Sequence, residues 1–215
     1  MPAYLVIDLG RTVYGRVSAQ VSGPAGSVLD VGWDERLLPG TLRPLPYPGS
    51  LHPEWNQVDS WTLDGTSRSI TTLDGRGGRY LLVAAWGKGP VTIGNFQVLE
   101  ERYPVTPRGS LKTSDSRLDA IWQVGELTTQ VNMTDAYADP WREHGQWWGD
   151  SYVIDKANQV TYADRDLLRR GLLLMGRSFG QSRAPGMAPS NYSRHMIDYT
   201  MLWVLSVEEY TVRTG

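Results

Sequence analysis

The hydrophobic pattern changes period once along the chain. From residue 1 to about residue 107, apolar positions alternate with polar ones or form short runs, as in Tyr4-Leu5-Val6-Ile7 and the stretch from Tyr14 to Val21. Further runs of this kind predict strands over residues 27–33, 57–63, 69–73, 80–85 and 92–98. Turn-forming pairs separate them: Gly23-Pro24, Pro39-Gly40, Pro48-Gly49, Asp64-Gly65, Asp74-Gly75 and Gly77-Gly78. Gly75-Arg76-Gly77-Gly78, lying between two strand patterns, reads as a hairpin turn. Many short strands with frequent turns predict an antiparallel β-sandwich. Residues 37–53 hold five prolines and read as a long surface loop.

Beyond residue 107 the spacing becomes helical. Leu118, Ile121, Trp122 and Leu127 recur at helical spacing in a segment over residues 117–133, opened by Ser114 and Asp115 as capping and first-turn residues. A second helix is expected from about Asp150 to Tyr162, a third over residues 164–179 behind Asp164 and Asp166, and a fourth over residues 197–214. Pro185 and Pro189 break the third from the fourth. The plan is therefore a β-sandwich over 1–107, then antiparallel helix pairs over 108–215.

Composition narrows the partners. The chain has 215 residues, 40% hydrophobic and 20% charged, enough for one large domain or two small ones. The net charge is -2 and the cations are scattered, so no basic stripe for nucleic acid or an anionic membrane is visible. No apolar run approaches the roughly 20 residues of a membrane span. The start, Met1 to Gly15, lacks the basic and apolar regions of a secretory signal. With no cysteine, these features lead to the expectation of a cytoplasmic protein without disulfides, thiolate nucleophiles or Cys-based zinc. His52, His144 and His195 show no metal-ligand spacing, and no Gly-rich phosphate motif occurs, so neither metal nor cofactor is expected. The aromatics are skewed: nine Trp and eleven Tyr against two Phe. Flat rings with a polar edge suit stacking on sugars, although Trp also fills cores.

One stretch concentrates reactive groups. Between Asp135 and Asp150 stand Asp139, Arg142, Glu143, His144, Trp141, Trp147 and Trp148, in a loop punctuated by Pro140 and Gly145. It joins the first predicted helix to the second, a usual place for groups displayed by a rigid scaffold. Glycoside hydrolysis needs a protonated carboxyl to donate to the leaving oxygen and an ionised carboxylate opposite it. Apolar walls and neighbouring negative charge raise a donor's pKa. Glu143, close in sequence to two Trp and to Asp139 and Asp150, meets both conditions. Arg142 would oppose them if aimed at Glu143, so its expected partners are Asp139, Asp150 or a sugar hydroxyl. The plainer alternative is that these acids cap helices and pair with Arg142, Asp150 being well placed as an N-cap.

Asp139-Pro140-Trp141-Arg142-Glu143, followed by Trp147 or Trp148, Gly149 and Asp150, resembles the signature of bacterial α-L-rhamnosidases of glycoside hydrolase family 78, approximately Asp-Cys-Pro-x-Arg-Glu and then Trp-x-Gly-Asp. Asp8-Leu9-Gly10 through Val21, Gly23 to Gly26, Arg79 to Val83, Gly109 through Asp115, and Ile197-Asp198-Tyr199 through Trp203 are similar to other stretches of that family. The resemblance implies an (α/α)6 barrel behind a β-sandwich and inverting hydrolysis of terminal α-L-rhamnosyl groups. It implies Glu143 as general acid, with Asp139 and Asp150 binding sugar hydroxyls or tuning Glu143. Arg142 and Trp147 or Trp148 would line the sugar site, and Asp198 is a further candidate; apart from the resemblance, His144 beside Glu143 could bind a sugar hydroxyl, although a lone His is more often structural. The family's Cys is missing, so either one residue is deleted there or Ala138 occupies the aspartate position.

The family's general base is a Glu far downstream in the barrel, whereas this chain stops at Gly215. The expectation is a chain truncated within the catalytic barrel and inactive alone. Glu208 and Glu209 are the only late carboxylates, and a solvated or helix-pairing role is expected for them. An incomplete toroid would expose Leu172 to Leu174, Met201, Leu202 and Leu205, inviting a homo-oligomer or pairing with a separately encoded C-terminal barrel half. The expected ligand is a rhamnose-containing oligosaccharide or glycoside. The alternatives are a non-catalytic carbohydrate-binding fragment and a related helical-barrel glycosidase acting on another sugar.

Overall fold

The computed structural model describes residues 3–38, 40, 57–142, 144–179, 185–189 and 195–215. The chain forms two compact units: Met1–Glu101 with Pro140–Arg142, and Arg102–Asp139 with Glu143–Gly215. The expected β-then-α order is present. The proline-rich loop of residues 37–53 lies, beyond Leu38 and Gly40, outside the described residues.

In the first unit, six antiparallel strands share one sheet: β1 (Ala3–Ser22), β2 (Val28–Asp34), β3 (Val58–Thr62), β4 (Arg68–Thr71), β5 (Arg76–Trp86) and β6 (Thr92–Glu100). The two layers of the predicted sandwich are thus continuous, and β1 is the reason. Residues 3–15 of β1 pair with β5, which pairs in turn with β2 and β3. Residues 15–22 run instead between β6 and β4. The register shifts between Asp8 and Val13, where Gly10 takes φ 78°. Such irregularities bend a strand from one layer into the next. Asp8 secures this one: its carboxylate accepts from the Gly10 N–H at 2.8 Å and from both arms of the Arg79 guanidinium at 2.8 and 2.9 Å. Those contacts hold the Asp8 carboxyl down at about 2.

Period-two alternation buries Val13, Val17, Ala19 and Val21 of β1 against Leu29, Val31 and Trp33 of β2, Ile70 of β4, and Leu81 and Val83 of β5. Of the glycines predicted to turn at residues 75–78, only Gly75 falls in the reversal. Gly77 and Gly78 lie inside β5, and the chain reverses over residues 72–75. Their bare Cα atoms admit other backbone: a Cβ on Gly78 would stand 3.0 Å from the Asp34 carbonyl oxygen, and one on Gly77 would stand 2.7 Å from that of Pro140.

The second unit holds α1 (Ser116–Val131), α2 (Trp148–Thr161), α3 (Asp166–Arg177) and α4 (Ile197–Thr214). Asp115 caps α1 by accepting from the Arg117 N–H at 2.9 Å. At α3 the N-cap is Arg165, and the Asp164 carboxylate one residue earlier accepts from the Leu167 N–H at 3.0 Å. The apolar face of α3, with Leu167, Leu168, Leu172 and Met175, joins Met133, Tyr137, Trp148 and Tyr162 in the core. Leu172 is therefore buried, contrary to its expected exposure, because it lies on this inward face. Leu173, Met201 and Leu205 are exposed.

α2 and α4 are tied by charge. Asp155 accepts from Arg213 at 3.1 Å, and Glu209 pairs with Lys156 and accepts from the Tyr152 hydroxyl at 3.3 Å. Glu209 thus serves helix pairing, its carboxyl held below the usual range chiefly by Lys156. The opposite face of α4 carries Ile197, Met201, Val204 and Val212, all more than half exposed. No described helix is long and apolar enough to cross a membrane.

Candidate functional site

The loop between α1 and α2 is built in three pieces. The first is a tight reversal after α1. The Ala138 N–H donates to the Asn132 carbonyl at 3.0 Å, and that of Thr134 to Ala136 at 3.0 Å. Ala136, Tyr137 and Ala138 are buried, whereas Asp135 is exposed and pairs with Arg170 at 3.2 Å. The Tyr137 hydroxyl accepts from Asn158 at 2.9 Å, and Asn158 also donates to the Asp164 carbonyl at 2.8 Å. Burial, reinforced by the charges of Asp155 and Asp164, pushes the Tyr137 hydroxyl far above its ordinary pKa, so it stays protonated. Asp139 follows, half-buried.

The second piece, Pro140–Arg142, belongs to the sheet unit. The Gly77 N–H donates to the Pro140 carbonyl at 2.8 Å, and the Gln57 amide to the Arg142 carbonyl at 3.2 Å. The Arg36 guanidinium stands 5.3 Å from the centre of the Trp141 ring.

Glu143, which opens the third piece, lies outside the described residues. His144 follows, exposed and at φ 53°, and Gly145 faces the Met187 sulfur. Gln146 is buried and donates to the Ala188 carbonyl at 2.6 Å, Trp147 forms a β-bridge with Met187, and the Trp148 N–H donates to the Gly186 carbonyl at 2.9 Å.

The two tryptophans then diverge. Trp148 is 1% exposed, sunk in the helical core with its indole N–H on the Ser206 hydroxyl at 3.2 Å. Gly171 lets it in, since a Cβ there would stand 3.2 Å from the Trp148 ring. Trp147 is half-buried and meets Tyr199 edge to face, with centroids 6.1 Å apart. The same Tyr199 ring lies against Gly149, so the first turns of α2 and α4 abut there. Asp150 and Asp198 are the exposed first-turn acids of these helices, each one residue from the contact. Trp147, rather than Asp150, is the N-cap of α2. In a first turn, a carboxylate complements the helix N-terminus whatever else it does.

Sequence reading did not foresee Tyr199 as the partner of Trp147, or the support that residues 186–188 give to Gln146–Trp148. It also missed the polar face of α2: Ser151, Asp155 and Asn158 recur at helical spacing and are all buried. The recurrence is present in the sequence, but a search for apolar periodicity passes over it. Elsewhere in the helical unit, residues 104–106, Arg108 and residues 162–166 line an open pocket of about 550 Å³.

No family sequence model and no curated protein matches the chain. Solved structures do. The family 78 rhamnosidase of Bacillus sp. GL1 matches with a TM-score of 0.85 and 26% identity, over 97% of this chain and 22% of its own. The Klebsiella oxytoca rhamnosidase with rhamnose bound matches at 0.74 and 23%, over 97% and 44% of the two chains. The α-L-rhamnosidase from Dictyoglumus thermophilum matches at 0.73 and 14%, over 96% and 24%. The chain therefore has the fold of the family 78 α-L-rhamnosidases that its sequence resembles, and it spans less than half the length of each of these three.

Proposed function

We propose that this chain is part of an inverting glycoside hydrolase of the α-L-rhamnosidase type and supplies the acid side of its site. The observation that carries the reading is the joint occurrence of the Arg142-Glu143 and Trp147-Trp148-Gly149-Asp150 motif with the rhamnosidase fold over 97% of the chain. Glu143 gives its proton to the leaving oxygen as the glycosidic bond breaks. A carboxylate on the opposite side of the ring, roughly 6.5–9.5 Å from the acid in inverting enzymes, draws a proton from the attacking water. Asp139 and Asp150 bind sugar hydroxyls or keep Glu143 protonated, and Arg142, His144 and Asp198 bind the sugar. Trp147 supports the stacking role better than Trp148, because its ring is only half-buried. The ligand is a rhamnose-containing glycoside.

The 215 residues alone turn over negligibly, since the opposing carboxylate is not among them. The exposed apolar stripe of α4 is covered in the working protein by further helices of the barrel. The experiment grafts this chain into the Bacillus enzyme in place of the segment it matches and introduces Glu143→Gln. Loss of aryl α-L-rhamnoside turnover with L-rhamnose binding retained supports the acid role. Unchanged turnover assigns the acid elsewhere. Turnover by the ungrafted chain refutes the missing-carboxylate reading. Because the chain spans under half of its solved relatives, a second reading is a carbohydrate-binding piece in which Glu143 only accepts hydrogen bonds. Glu143→Gln would then weaken binding without touching turnover.

A further inference from the structure

The strap Pro140–Arg142 is held within the sheet unit at all three of its residues, by two hydrogen bonds and one cation–ring contact. The Gly77 N–H holds the Pro140 carbonyl, the Arg36 cation stacks on Trp141, and the Gln57 amide holds the Arg142 carbonyl. The grips are themselves fixed. Gly77 is an interior residue of β5, paired with Tyr14 of β1. The Gln57 carbonyl accepts from the Trp33 N–H at 3.0 Å, so its backbone is tied to β2 while its side chain reaches the strap. The Arg36 N–H donates to Asp34 at 3.1 Å. Pro140, Gly77 and Gln57 are all buried.

The fit at Gly77 is specific. A Cβ there would stand 2.7, 2.8 and 3.0 Å from the Pro140 oxygen, carbonyl carbon and Cβ, and those are its three nearest neighbours. Gly77 has no positive φ, so alanine is compatible with the strand itself, and only the strap excludes it. Neither the hairpin pattern nor the sugar motif accounts for this glycine, for Gln57 or for Arg36.

We infer that Gly77, Gln57 and Arg36 are positioning residues for the proposed rhamnosidase site, fixing the backbone of 140–142 and with it Arg142 and the start of the acid-bearing segment. The inference rests on the reading of Glu143 as the acid. Its logic is that a reacting group must sit within about an ångström of its productive place, and a loop acquires that accuracy only from support on rigid elements. The sheet unit, remote from the chemistry in sequence, is then the bench on which the strap is held.

The test uses the 215-residue chain with Gly77→Ala and, as a milder change, Gln57→Leu. Amide exchange is followed in the peptide covering residues 75–79, whose residue 77 N–H donates to the strap, with a β1 peptide covering residues 13–21 as control. Release of the strap raises exchange in the first peptide about tenfold, the factor expected for one lost hydrogen bond of ordinary net strength, and leaves the second unchanged. Equal exchange in wild type and both variants overturns the inference. If Gly77→Ala also loosens the control peptide, Gln57→Leu alone decides. A second readout, the ¹³C titration of the Glu143 carboxyl, separates positioning from simple support. A midpoint raised in the wild type should fall towards the ordinary glutamate value in both variants; one that stays put while the strap loosens also overturns the inference. An ordinary wild-type midpoint with the exchange response intact removes the acid reading and leaves the anchoring standing.

Discussion

Replacing Asp155 by alanine should remove more stability from the helical unit than any other single charge deletion there. The carboxylate is 4% exposed and joins two helices. One oxygen accepts from Gln159 at 2.6 Å and from Arg213 at 3.1 Å. The other faces the Tyr137 hydroxyl and the Asn158 amide, both at 3.4 Å and hence weakly bound. Hydrogen bonds to a charged group contribute roughly 1.5–3 kcal/mol each, and breaking a buried pair costs about 3–5 kcal/mol when the surviving charge is stranded. Here the survivor is Arg213, whose side chain keeps 30% exposure, so water repays part of the loss. The expected cost is therefore near the lower bound, about 3 kcal/mol. Arg213→Ala leaves Asp155 with Gln159 and should cost about 2 kcal/mol, and the double variant should cost less than the sum, since the two changes remove the same ion pair. Urea unfolding at pH 7, followed by far-ultraviolet dichroism at the helical band, measures all three. A cost below about 1 kcal/mol for Asp155→Ala, or strict additivity, would refute the assignment of this pair as the tie between α2 and α4.

Three further outcomes follow from other sites. Gly109→Ala would place a methyl group on the Val160 carbonyl oxygen, where Arg108 and Gly109 both donate to the adjacent Thr161 carbonyl; a loss of about 2 kcal/mol or more in a thermal melt is expected, and a wild-type melt would contradict the packing. Trp148→Phe removes buried ring volume and the bond to Ser206 and should cost about 2 kcal/mol, whereas Trp147→Phe, at a half-buried ring, should cost less than half of that. Asp8, Asp115, Asp119 and Glu209 all have carboxyls lowered by their partners, Asp8 to about 2. Their contribution is complete above the unfolded values near pH 4 and is lost as pH falls through the folded ones, so the urea midpoint should be level from pH 7 to 5 and drop between about pH 4 and 2; a midpoint that rises on acidification would reverse the sign.

Much of the fold is written locally. α4 occupies the predicted residues 197–214, and the start of α1 follows from Asp115, because caps and helical periodicity depend only on neighbours in sequence. What escaped depends on contacts distant in sequence. The runs at residues 4–7 and 14–21 looked like two strands because Gly10 interrupts the pattern, yet Asp8 and Arg79 carry one strand through the bend. Gly77 and Gly78 have the composition of a turn, and only the Pro140 and Asp34 carbonyls explain them as strand residues. At the site, clustering of acids, Arg and Trp marked the loop from Asp135 to Asp150. Which tryptophan is buried was not legible: Trp147 and Trp148 are chemically alike, and Gly171 and Ser206, far along the chain, decide between them.

The role of Glu143 is tested most directly by the dependence of turnover on the leaving group, measured in the grafted rhamnosidase. A general acid matters in proportion to the basicity of the departing oxygen. Glu143→Ala should therefore abolish hydrolysis of an alkyl α-L-rhamnoside, whose alkoxide cannot leave unprotonated, while sparing a dinitrophenyl α-L-rhamnoside, whose leaving group needs no proton. Equal loss on both substrates, or none on either, would contradict Glu143 as the proton donor.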